Sequence, residues 1–176
     1  SMSGLARILA YQGYIVTGSD ERPSPVTQKL EKEGIKVTIG HCAENVNGAD
    51  LLVYTAAVKP DNIELVAASG AGIPCINRAA LLGEIMKKYP MSFAVSGTHG
   101  KTTTTSMLSM IMLEEGLDPT VHVGGELAAI GGNIRIGGSE YFVTEADEYT
   151  GSFLKFYPRV AVILNIDYDH VDCFRN

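Results

Sequence analysis

The sequence has 176 residues, 45% of them hydrophobic, and a formal net charge of −6. This length fits one large or two small domains with a substantial core. The acidic balance, without clustered lysines and arginines, argues against a nucleic-acid-binding surface. There is no run of 18 apolar residues and no charged-then-apolar leader, so neither membrane insertion nor a signal peptide is predicted. The widely spaced cysteines, Cys42, Cys75 and Cys173, form no CxxC pair and indicate reduced thiols in a cytoplasmic protein.

The chain opens on a segment typical of an amphipathic helix, Ser3–Gln12, which Gly13 ends. Residues Tyr14–Thr17 read as a strand that leads into Gly-Ser-Asp. A helix that leads into a parallel strand normally follows an earlier strand and turn. We therefore expect that the first strand of this domain is missing and that the chain is truncated at its start.

Short strands and helices then alternate up to Pro90. This βα repeat predicts a parallel sheet with helices on its faces. We place a domain boundary at Pro90, which gives domains over residues 1–89 and 90–176. The predicted elements of the first domain after residue 20 are helices at Val26–Glu33, Ile63–Ser69 and Ala79–Lys88 and strands at Lys36–Ile39, Leu51–Tyr54 and Pro74–Ile76.

Three residues follow strand ends in this first domain and are candidate ligand contacts. Asp20 could hydrogen-bond a ribose hydroxyl or serve as a turn residue before Pro23. His41 could stack on a base or cap its turn. Thr55 begins a stretch of small residues that would let a ligand approach the backbone.

The second domain begins with a glycine loop between a buried strand, Phe93–Ser96, and a helical pattern, Ser106–Glu115. Such a loop can hold phosphate oxygens on its backbone N–H groups at the positive end of the helix. Its spacing departs from GxxxxGK[ST], because Val95 stands at the first glycine position. The candidate nucleotide-binding residues are Gly97, Thr98, His99, Gly100, Lys101, Thr102 and Thr103.

Two later strands deliver polar residues to the same predicted sheet edge. Glu145 directly follows the apolar strand Tyr141–Thr144, and His170 lies in the polar segment after Val160–Leu164. An acidic residue at this position is suited to hold Mg²⁺ beside the Thr102 hydroxyl. Histidine is better tolerated by Mn²⁺, so the predicted site accepts either metal. Between the helical pattern that ends at Glu115 and the strand that begins at Tyr141, we expect strands at Val121–Gly125 and Asn133–Ile136 around a glycine turn.

Three motifs together resemble the Mur ligases of peptidoglycan synthesis. They are GTHGKTTTTSM from Gly97, EADEYTGSFL from Glu145 and AVILNIDYDHVD from Ala161. The opening SMSGLARIL, the GSD ending at Asp20 and INRAALL from Ile76 also match, so the resemblance covers the whole chain. It implies a Rossmann-like UDP-binding domain without its first strand, then a partial P-loop ATPase-type central domain, with the C-terminal domain of the family absent.

The resemblance also implies an activity: ATP-dependent joining of L-alanine to the lactyl carboxylate of UDP-N-acetylmuramate through an acyl phosphate. In it, Lys101 would stabilise the transferring phosphoryl group, and Thr102, Glu145 and His170 would surround Mg²⁺. The substrate-binding positions it implies are Asp20, His41, Thr55, Arg78 and His99.

Three alternatives stay open. A muropeptide-recycling ligase would join a tripeptide to the same sugar nucleotide and shares the GTHGKTTT and EADEY motifs. A phosphate-loop kinase or simple NTPase would fit Lys101, Thr102 and Glu145 but leaves the first domain unexplained. A non-catalytic nucleotide-binding module is the third, and we expect the 176 residues alone to be inactive because the family's C-terminal domain is absent.

Overall fold

The computed structural model describes residues 2–147 and 149–167 and divides into two compact units, residues 1–81 and 82–176. Within the described residues, no helix combines the length and the apolar character needed to cross a membrane.

The first unit alternates helices and strands, as its sequence predicts. The elements are α1 (Met2–Tyr11), β1 (Thr17–Asp20), α2 (Pro25–Lys32), β2 (Lys36–Ile39), β3 (Leu52–Tyr54), α3 (Ile63–Gly70) and β4 (Cys75–Asn77). The strands form two parallel pairs, β1 with β2 and β3 with β4. A one-turn 3-10 helix over Ala43–Val46 lies between the pairs along the chain.

The predicted parallel pairing is confirmed, but among the described strands it is divided between two sheets. The first strand also starts later than predicted, because the ladder with β2 begins where Thr17 pairs with Lys36. Residues 14–16 lie outside this ladder, so Asp20 is the last strand residue and not the first residue beyond it. Apolar, β-branched residues favour a strand, but hydrogen-bond partners decide its limits.

The second unit is built on one five-stranded sheet. Helix α4 (Arg78–Met86) crosses the division between the units. The remaining elements are β5 (Met91–Ser96), α5 (Lys101–Glu114), β6 (Thr120–Leu127), β7 (Gly132–Arg135), β8 (Tyr141–Glu145), a 3-10 helix (Tyr149–Lys155) and β9 (Val160–Ile163). The strand order is β7-β6-β8-β5-β9. All pairings are parallel except the β6–β7 hairpin, which confirms the predicted turn between two strands.

The inner strands of this sheet are buried on both faces, because side chains point alternately to its two sides and adjacent residues are both covered. Val95, Val121, Phe142 and Val143 are fully buried. Helix α5 packs against β5, β6 and β8 and starts at Lys101, five residues earlier than the apolar period predicts. Its first turn is mostly threonine, which carries no apolar period, so the helix start is set by the loop before it.

Candidate functional site

The glycine loop joins β5, an inner strand of the sheet that ends at Ser96, to α5, which begins at Lys101. Gly97 has φ of 141° and Gly100 has φ of 84°, both in the left-handed range that side chains disfavour. Gly100 is the N-cap residue of α5 and has no side chain to cap it. The N–H groups of the first helical turn therefore remain directed at the loop, which is the arrangement that binds anionic oxygens.

The segment after β9 holds this loop in shape. The Asn165 side chain accepts a hydrogen bond from the His99 N–H (2.9 Å) and donates one to the His99 carbonyl (3.0 Å). Thr98 Oγ1 accepts from the Asp167 N–H at 2.9 Å. A Cβ on Gly97 would lie 3.1 Å from Leu164 Cβ, so only glycine fits without displacement. These contacts hold the glycine loop and the segment after β9 in a fixed position relative to each other.

Lys101 directs its ammonium group back into the loop. Its Nζ donates to the Gly97 carbonyl at 2.6 Å and lies 3.3 Å from the Thr98 carbonyl. The predicted lysine is therefore at the loop itself, where it can neutralise phosphate charge. Thr103 and His99 are exposed beside it.

Thr102 and Glu145 are both predicted metal ligands, and the structure brings them together. Thr102 Oγ1 donates to Glu145 Oε2 at 3.0 Å. The other carboxylate oxygen, Oε1, accepts from the Gly124 N–H at 2.7 Å. Glu145 is the last residue of β8, paired with Val95, and not the first residue beyond the strand as predicted.

A hydroxyl and a carboxylate at hydrogen-bond distance offer oxygen ligands of the kind that Mg²⁺ prefers. The residues present therefore fit a divalent metal beside the loop. The described part of the chain contains no group of three or more His, Cys, Asp or Glu side chains placed to hold a metal ion. The third predicted ligand, His170, lies outside the described residues.

In the first unit, Ser19 and His41 meet at the carboxyl ends of β1 and β2. Ser19 Oγ lies 3.0 Å from His41 Nδ1 and donates to Glu64 Oε2 at 2.7 Å. Glu64 is buried, with 8% of its surface exposed. The carboxyl ends of parallel strands are where ligands bind in open α/β sheets.

The other predicted residues of this unit lie at or just beyond strand ends. Asp20 is exposed and accepts from the Arg22 N–H. Thr55 Oγ1 accepts from the Ala57 N–H in its own turn. Arg78 is the first residue of α4, directly after β4.

Sequence reasoning did not select Glu64, Gly124 or Asn165 as site residues. Each acts through a partner distant along the chain: Ser19 is 45 positions from Glu64, and His99 is 66 from Asn165. The sequence offered a signal for Asn165 alone, because it belongs to the polar segment that follows an apolar strand.

Two protein-family models match successive parts of the chain. Residues 1–90 match the family model described as Mur ligase family, catalytic domain. Residues 95–176 match the model described as Mur ligase middle domain.

Among curated proteins, the chain is 65% identical over all 176 residues to a UDP-N-acetylmuramate–L-alanine ligase of Acetivibrio thermocellus. It is 62% identical over the same length to a ligase of the same description from Caldanaerobacter subterraneus subsp. tengcongensis. In both comparisons the chain spans only 38% of the relative's length.

Two solved structures are similar in fold to this chain. The UDP-N-acetylmuramate-alanine ligase of Thermotoga maritima has a TM-score of 0.87 at 35% identity, over 97% of this chain and 40% of that one. The UDP-N-acetylmuramate:L-alanyl-gamma-D-glutamyl-meso-diaminopimelate ligase of Neisseria meningitides has a TM-score of 0.88 at 33% identity, over 99% of this chain and 60% of that one. The first family model matches more than half of the residues of this chain, so the chain belongs to the Mur ligase family.

Proposed function

We propose that the protein containing this chain is an ATP-dependent ligase that forms an amide bond between L-alanine and the lactyl carboxylate of UDP-N-acetylmuramate. The observation that carries the proposal is the 65% identity, over the whole chain, to a ligase described by this reaction. The Thr102–Glu145 pair beside the glycine loop supports the ATP chemistry that such a reaction needs.

In this proposal residues 90–176 form the ATP-binding domain. Backbone N–H groups of the loop from Gly97 to Thr103 hold the phosphates. Lys101 holds the γ-phosphoryl group and neutralises charge that grows during its transfer. Thr102, Glu145 and His170 would hold Mg²⁺, with Mn²⁺ as a substitute, and the metal would supply further charge neutralisation at the phosphate oxygens.

The reaction proceeds in two displacements. A lactyl carboxylate oxygen attacks the γ-phosphorus of ATP, the bond to the bridging oxygen breaks, and ADP leaves. The neutral α-amine of L-alanine then attacks the acyl carbon, phosphate leaves with the transferred carboxylate oxygen, and the surplus amine proton is released. A carboxylate is a poor electrophile, so phosphorylation provides the leaving group that amide formation requires.

Residues 1–89 form the domain for the UDP end of the sugar nucleotide. Asp20 and His41 are the proposed contacts to ribose and uracil, and Thr55 lies where a ligand can approach the backbone. Arg78 and His99 are proposed to face the muramoyl part. We place the protein in the cytoplasm, where ATP and the sugar nucleotide are available.

In this route one oxygen atom of the lactyl carboxylate leaves with the released phosphate, and following that atom gives a direct test. We would supply UDP-N-acetylmuramate labelled with ¹⁸O in the lactyl carboxylate to the complete gene product that contains these residues, with ATP and L-alanine. Mass spectrometry is expected to detect one ¹⁸O atom in each released phosphate. Amide formation with unlabelled phosphate would contradict an acyl-phosphate route.

One observation favours a second candidate. The Neisseria ligase, whose title names a tripeptide in place of alanine, matches the fold with a TM-score of 0.88. The same loop and carboxylate could therefore serve a ligase that joins that tripeptide to the sugar nucleotide. Higher identity to the alanine ligases favours the first candidate.

A further inference from the structure

The first unit buries a carboxylate that the proposed chemistry does not use. Glu64 is the second residue of α3, and its backbone N–H donates to the N-cap residue Asn62. Only 11% of its side-chain surface is exposed. Burying a carboxylate is costly unless hydrogen-bond donors satisfy its oxygens, so its partners identify what it does.

Glu64 is satisfied by residues from three other segments. Asn45, in the 3-10 helix, donates to Oε1 at 2.6 Å. Ser19, on β1, donates to Oε2 at 2.7 Å. The Nδ1 atom of His41, two residues after β2, lies 3.4 Å from the same Oε2. The carboxylate therefore connects α3 to the carboxyl ends of β1 and β2.

These contacts determine which nitrogen of His41 carries the proton. A serine hydroxyl has one hydrogen, and that of Ser19 is donated to Glu64. Its oxygen, 3.0 Å from His41 Nδ1, can then only accept. An ionised carboxylate also only accepts. Nδ1 thus faces two acceptors and must be protonated, which in the neutral ring makes Nε2 an acceptor.

We infer that Glu64 is a positioning residue, which holds His41 with its proton on Nδ1 so that Nε2 accepts a hydrogen bond from the uridine part of the nucleotide. The inference rests on the proposed function of this unit. One quarter of the His41 side-chain surface is exposed, which leaves the ring open to a ligand. The donor is either the uracil ring N–H or a ribose hydroxyl, and both present the same chemistry to Nε2.

The first test needs no ligand. Long-range ¹H–¹⁵N NMR of the complete gene product, with the His41 signal assigned through His41→Gln, reports which ring nitrogen is protonated. We expect the Nδ1–H form in the unaltered protein and a reduced fraction of it in Glu64→Gln. Glu44→Gln, at an exposed glutamate of the same unit, is the matched control and should leave the signal unchanged. An Nε2–H form in the unaltered protein would overturn the inference.

The second test measures coupling through UDP binding by calorimetry. His41→Ala and Glu64→Gln are each expected to weaken binding, by about tenfold for the alanine variant. Because Glu64 acts through His41, the double variant should bind no more weakly than His41→Ala alone. Independent, multiplicative losses would contradict the inference. Thermal melting of each variant separates lost contacts from lost folding.

Three UDP analogues distinguish the donor. N3-methyl-UDP lacks the ring N–H, and 2′-deoxy-UDP and 3′-deoxy-UDP each lack one ribose hydroxyl. We expect one of them to bind the unaltered protein about tenfold more weakly than UDP, and this difference to vanish in His41→Ala. Persistence of the full difference in His41→Ala would overturn the assignment of Nε2 as acceptor. Failure of the unaltered protein to bind UDP would instead reject the proposed function, and the NMR result would still decide the position of the proton.

Discussion

The Thr102 hydroxyl and the Glu145 carboxylate lie 3.0 Å apart, although 43 positions separate them in the chain. Thr102 is the second residue of α5, and Glu145 is the last residue of β8, the strand that pairs with β5. The parallel pairing of β5 with β8 brings both residues to the loop edge of the sheet. Their position supports joint contact with a metal ion bound to ATP.

The Gly124 backbone orients this carboxylate, so its replacement should disturb metal binding. A Cβ at Gly124 would lie 3.0 Å from Glu145 Oε2. We expect Gly124→Ala to raise the Mg²⁺ concentration for half-maximal ATP turnover by about tenfold. Gly125→Ala is the matched control, because its Cβ would make only an ordinary contact, 3.4 Å from Thr102 Cγ2. Equal Mg²⁺ requirements in the two variants would refute this role.

Gly97 should be intolerant of any side chain. Its φ of 141° is unfavourable for other residues, and a Cβ would crowd Leu164 and the Asn165 backbone. We predict that Gly97→Ala lowers the free energy of unfolding by about 1–3 kcal/mol, measured by denaturant titration. Gly70→Ala, where a Cβ meets no atom within 4 Å, should have no such cost. Unchanged stability of Gly97→Ala would show that the loop has another accessible conformation.

The Asn165 amide should matter for the binding of ATP and not for the binding of UDP. Asn165→Ala removes both hydrogen bonds to the His99 backbone and frees the loop. We expect the ATP dissociation constant to rise about tenfold while UDP affinity stays unchanged. Asn47→Ala, at an exposed asparagine of the first unit, serves as the control. The role of Asn165 would be rejected if ATP binding were unaffected.

These residues mark the limit of sequence reasoning. The loop was predictable because glycines, a lysine and an apolar strand are adjacent in the chain. Glu145 was predictable because an apolar strand leads directly to it. Gly124, Asn165 and Glu64 act through tertiary contacts that no local pattern encodes. The start of β1 differs from its predicted position for the same reason. Its ladder with β2 begins at Thr17, although Tyr14–Val16 have the stronger strand preference.

Asp118 should make a pH-dependent contribution to stability. The hydrogen bond from the Gly138 N–H, and then the Arg135 side chain, lower the pKa of its carboxyl below the usual 3.8. The stabilisation is therefore complete above pH 3.8 and is lost as the pH falls through the lowered pKa. Asp118→Asn should be less stable than the unaltered protein at pH 6, with a difference that shrinks below pH 3.8. A difference that stays constant from pH 6 to the acid limit, in paired melting curves, would contradict this.

The most direct test of the central proposal is ATP consumption by the complete gene product with UDP-N-acetylmuramate. L-alanine and L-alanyl-γ-D-glutamyl-meso-diaminopimelate are offered in separate reactions. We predict turnover with L-alanine, little with the tripeptide, and a loss of about a hundredfold or more in Lys101→Ala. Turnover with the tripeptide alone would assign the second candidate reaction. Absence of sugar-nucleotide-dependent turnover with either amine would contradict the ligase function itself.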